Sequence, residues 1–135
     1  MNELSIVTSY ENGMAYSSKV CKTEKETIEL FNATSSPDKK LREFVGKTIA
    51  LKDIYIEPVE IKDDKTEQMV MAPRIVLIDS DGVSYGCVSG GIYSILKRII
   101  SIFGEPSTWE NPKNVEVVQI PSRKNAGTLL SLKLV

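Results

Sequence analysis

The side chains best placed to do chemistry in this chain are rings and cations rather than acids and bases. Tyr55, Tyr85 and Tyr93 offer π-faces on which flat groups stack, and Arg74, Arg123 and Lys124 offer charge for phosphates. Covalent chemistry is poorly supplied. With no histidine in 135 residues, the commonest general base and the usual partner of a nucleophilic Ser or Cys are missing. Cys21 and Cys87 lie far apart without C-x-x-C spacing and read as free thiols, so a zinc site would be short of ligands. Asp79-Ser80-Asp81-Gly82 lacks the spaced Glu of a calcium loop and reads as a hairpin turn. Ser89-Gly90-Gly91 could present free N–H groups to a phosphate, but no Gly-Lys-Ser/Thr follows it. The expectation is a chain with no catalytic residue, no metal site and no cofactor.

Each ring also has a packing alternative. Tyr55 is out of phase with Ile54 and Ile56, which places it on the face away from the interior and favours stacking. Tyr85 fits both readings: Val83 and Cys87, in phase with it, are apolar, while Gly86 beside it would let a flat group approach the backbone. Trp109 caps the end of the core, and Tyr10 and Tyr16 read as cross-strand packing around an N-terminal turn. For the cations the alternative is a solvated loop or strand face.

The elements that must position these groups are mostly strands. At 41% hydrophobic and 26% charged, the composition is that of a globular domain, and the length allows one core. No apolar run reaches membrane-helix length, the first residues lack a secretory pattern, and a cytoplasmic protein without membrane contact is expected. A formal charge of −1 does not advertise a polyanion binder, and the C-terminal half is the mildly basic one.

Two regions are expected: an N-terminal extension over residues 1–46 and a barrel over 47–135. In the first, residues 4–21 read as two short strands around Asn12-Gly13, and 27–31 as another strand. Ser36-Pro37-Asp38 then reads as the start of a short helix that Gly46 ends. From Lys47 the alternation is clear. Lys47–Lys52 and Ile54–Glu57 alternate in opposite phase, which implies a bulge in one long strand. Met69–Ile78 and Val83–Ser89 flank the Asp79–Gly82 turn. A helix over Ile92–Phe103 carries an apolar stripe of Ile92, Ile95, Leu96, Ile99 and Phe103. Val115–Pro121 and Thr128–Val135 complete a βββ-helix-ββ order, that of a five-stranded OB-type β-barrel with its helix between strands three and four.

OB barrels bind oligonucleotides on strands two and three and on the loops joining strands one to two and four to five. Here these are residues 69–89, 62–68 and 122–127. Arg123 and Lys124 form a basic tip on the last loop, whereas Asp63 and Asp64 put negative charge on the other.

The stretches Glu29–Ala33, Arg74–Gly82 with Tyr85 and Ser89, Phe103–Pro106 with Trp109, and the closing Leu129–Val135 carry a family likeness. In their order and spacing the chain resembles the single-stranded DNA-binding proteins of Gram-positive phages and related plasmid or conjugative elements. The resemblance implies an OB fold and sequence-tolerant coating of single strands during replication or transfer of the element. It leaves open DNA against RNA as the bound strand and a homo-oligomer as the working form. The alternative from another class is a non-catalytic OB-like adaptor that binds a protein partner.

Overall fold

The computed structural model describes residues 5–121 and 128–135. Its helices are α1 (Ser5–Glu11), α2 (Glu24–Ser35) and α3 (Gly90–Phe103). Its strands are β1 (Tyr16–Ser17), β2 (Lys39–Lys40), β3 (Thr48–Lys62), β4 (Met69–Asp79), β5 (Ser84–Val88), β6 (Lys113–Pro121) and β7 (Thr128–Leu134), and short 3₁₀ turns cover Leu41–Phe44 and Pro106–Thr108. The protein is mainly β: a curled, open seven-stranded sheet in the order β2-β5-β4-β3-β6-β7, with β1 added to β3.

The long strand β3 organises the sheet. Ile49 and Leu51 point inward, then Ile54 and Ile56, so the inward phase changes between Leu51 and Ile54. The expected bulge lies there: Leu51 pairs with Asp79 and Asp53 with Ile78, leaving Lys52 unmatched. A bulge bends its strand. Before the bend β3 gives one edge to β6, over Thr48–Leu51; beyond it Tyr55 and Ile56 give that edge to β1. The β4–β5 meander and the β6–β7 hairpin form as expected.

α3 packs against β7 and β4. Ser89 caps it by accepting from the Ile92 N–H at 3.1 Å, and Gly104, with φ of 89°, ends it. Ile92, Leu96, Ile99 and Ile100 are buried, while Phe103 is 43% exposed; Ile100 therefore takes the place expected for Phe103 in the stripe. The helix enters very close to the sheet. A Cβ on Gly91 would stand 2.6 Å from the Leu130 carbonyl oxygen, a position only glycine fills.

The N-terminal expectations are corrected. Residues 4–21 are not a hairpin: Ser5–Glu11 is helical, with Ile6 fully buried and Tyr10 one turn later against the core. Asn12-Gly13 ends that helix, the N–H groups of Asn12, Gly13 and Met14 donating to carbonyls of Thr8, Tyr10 and Ser9. Gly13 has φ of 74°, a conformation that serves a helix end as readily as a hairpin.

The expected strand at 27–31 is part of α2. Thr23 caps it by accepting from the Glu26 N–H at 3.1 Å, and Glu24 and Glu26 lie at the positive end of the helix dipole. The expected short helix after Pro37 is instead β2 and a 3₁₀ turn. The Asp38 N–H donates to Ser84 Oγ and its carboxylate accepts from the Ser84 N–H, both at 3.0 Å, which holds the stretch extended beside β5. Gly46 does take a positive φ, 87°, and donates to the Val117 carbonyl.

Candidate nucleic-acid interface

On the face of β3, β4 and β5 away from Ile54 and Ile56, the register aligns Tyr55 with Val76 and Gly86, and Glu57 with Arg74 and Val88. Tyr55 is half-buried, and its hydroxyl donates to Glu57 Oε2 at 3.2 Å. Burial first, and the Glu57 carboxylate second, raise its phenol pKa above the ordinary value. Arg74 is not free to track phosphates. One guanidinium nitrogen lies 2.7 Å from Glu57 Oε1 and the other donates to the Thr34 carbonyl, tying the end of α2 to the sheet. Beside them, the opening over Gly86 is taken by the chain itself: a Cβ there would stand 2.8 Å from Pro37 Cγ.

Tyr85 lies in the core, 7% exposed, with its ring edge-on to Phe44 at 4.9 Å and its hydroxyl donating to Asp79 Oδ2 at 2.8 Å. Burial first, then the Asp79 hydrogen bond, push its pKa up to about 12. It presents no open ring face. Tyr93 is part-buried, its ring 4.7 Å from that of Tyr10, with Lys97 Nζ 4.6 Å above its centroid. Trp109 packs on the core and donates to the Gly104 carbonyl at 3.0 Å. Arg123 and Lys124 lie outside the described residues. Asp63 folds its loop by accepting from the Lys65 and Thr66 N–H groups. Asp79 accepts from the Asp81 and Val83 N–H groups, the role expected of a turn residue. Among the described residues no group of His, Cys, Asp and Glu could hold a metal ion.

Of the four expected site residues that are described, Tyr55 and Arg74 meet at the Glu57 carboxylate, while Tyr85 packs against Phe44 and Tyr93 against Tyr10. The structure also gathers Lys39, Lys40 and Arg42, all exposed, at the open edge beyond β5. Two clefts adjoin there, sharing Lys40, Gly86, Cys87 and Val88. One, of about 270 Å³, also holds Lys39 and Arg74; the other, of about 530 Å³, also holds Arg42, Thr128, Leu129 and Leu130. No carboxylate lines either cleft among the described residues. The cleft beside Trp109 differs, because Asp53 and Glu110 offset its Lys19 and Lys52. Sequence reasoning missed the cationic edge because residues 37–45 read as a helix; the Lys-Lys-x-Arg spacing itself was the signal available.

A mainly β protein with a curled sheet and a cation-lined open edge is suited to hold a polyanion along its surface. The family model described as Phage Single-stranded DNA-binding protein matches residues 10–135, and the chain belongs to that family. Neither the curated proteins nor the solved structures contain a match to it.

Proposed function

We propose that this protein binds single-stranded DNA without sequence preference and coats unpaired strands during replication or transfer of a phage or related mobile element. The observation that carries the reading is the family match, which takes in nearly all of the chain. The cation-lined edge supports it, because binding to single strands depends on charge that follows the backbone. So does the arrangement of strands. We read β3, β4, β5, β6 and β7 as an OB-type barrel left open between β5 and β7, with α3 at one end and residues 1–46 packed on it as an extension. Such a barrel binds in the cytoplasm of an infected or donor cell, as a non-catalytic protein.

A titration of labelled oligo(dT), the matching duplex and oligo(U), followed by anisotropy, tests the reading. Binding to oligo(dT) that exceeds binding to duplex and weakens steeply with salt is the expected result. Equal affinity for single strand and duplex, or none for either, would remove it.

A further inference from the structure

The geometry points to the seam between β5 and β7, rimmed by Lys39, Lys40 and Arg42, as the track of the single strand; this rests on the proposed DNA-binding function and locates its site. In the chain as a whole acids outnumber bases, yet two adjoining clefts are lined by these three cations and Arg74 with no carboxylate among the described residues. Glu57 already neutralises Arg74. Lys39, Lys40 and Arg42 are in no ion pair among the described residues, so their charge is available.

The floor of the seam suits sugars and base faces. Val88 and Leu129 are 48% and 43% exposed and offer apolar surface at the seam. The strand edges there are unpaired. β2 covers β5 only at Tyr85 and Gly86, and β7 pairs with β6 alone, so on the side facing the seam neither Cys87–Val88 nor Thr128–Leu129 has a strand partner. Backbone N–H and C=O groups bond any base, which provides contact without sequence preference. Cations on the rim, apolar side chains on the floor and strand edges without a partner strand on both walls together fit an unpaired polynucleotide.

Replacing all three cations, K39A/K40A/R42A, tests this against a control with the same charge change, K22A/K25A/K62A. Each lost phosphate contact on a single strand lowers the slope of log affinity against log salt by about 0.7, so the seam variant should lose up to about 2 from its slope and at least about tenfold in oligo(dT) affinity at low salt. The control should keep its slope. The same site is tested on the unaltered protein by lysine acetylation and mass spectrometry: oligo(dT) should protect Lys39 and Lys40 and leave Lys22 and Lys25 reactive. Wild-type binding with an unchanged seam variant, or with Lys39 and Lys40 unprotected, overturns the seam and leaves DNA binding standing. Protection that precedes DNA and grows with protein concentration overturns it too, since a second copy would then fill the seam. No binding of oligo(dT) by the wild type removes both.

Discussion

The Tyr85 hydroxyl donates to the Asp79 carboxylate at 2.8 Å across the β4–β5 hairpin, and the same carboxylate receives the Asp81 and Val83 N–H groups of the turn. A ring that sequence phase left between stacking and packing is therefore structural. Tyr85→Ala should lower unfolding free energy by about 3–5 kcal/mol, whereas Tyr85→Phe, which keeps the ring, should lower it by only about 1 kcal/mol. Denaturant unfolding measures both. Oligo(dT) affinity of the folded fraction should be unchanged in each.

Alkaline stability follows from the same residue. Folding raises the Tyr85 pKa from 10.0 to about 12, so the folded state holds the phenol proton more tightly than the unfolded chain does. Its contribution is complete below pH 10 and is lost as pH rises from 10 towards about 12. Tyr16, raised by burial and then by Glu105, acts with the same sign. Melting temperatures should fall over this window, and Tyr85→Phe should fall less steeply relative to its own value at pH 9.

Arg74 joins α2 to the sheet through Glu57 and the Thr34 carbonyl. Arg74→Ala leaves both acceptors without it and should lower stability by about 1.5–3 kcal/mol, with faster amide exchange concentrated in α2. Arg74→Lys should recover little, because an ammonium on a single stem cannot span the two acceptors as a guanidinium fork does.

Tyr55, the ring that strand phase assigns to stacking, stays half-exposed. Tyr55→Ala should weaken oligo(dT) binding by about 1–3 kcal/mol while the melting temperature moves little. A large loss of stability with normal binding would assign the ring to packing against Val76 instead.

Gly91 lies where α3 meets β7. A Cβ would stand 2.6 Å from the Leu130 carbonyl oxygen, a backbone atom that cannot swing aside as a side chain can. Gly91→Ala should lower stability by about 1–3 kcal/mol, read from thermal unfolding, as the helix shifts off the strand.

How far the fold was legible depended on where the information lay. From Thr48 to Leu134 the pattern was local: alternation marked the strands, the opposed phases around Asp53 announced the bulge, and Gly90-Gly91 and Gly104 bounded the helix. Between Ser5 and Phe44 it was not. α2 buries only Thr34 and leaves Ile28 and Phe31 exposed, so no apolar stripe marked it, and the Thr23-x-x-Glu26 cap was the signal that would have done so.

The site divides in the same way. Strand phase placed Tyr55 away from the interior, and the residue types named stacking and phosphate contact as the chemistry. Which cations are free was beyond local reading. Arg74 is taken by Glu57 and Thr34, residues distant in sequence, and Lys39 and Lys40 reach the open edge only because Asp38 bonds Ser84, 46 positions away. Periodicity acts along a segment and could be read from it, whereas ion pairs, ring burial and the meeting of β2 with β5 depend on chain closure between distant segments, which no local pattern encodes.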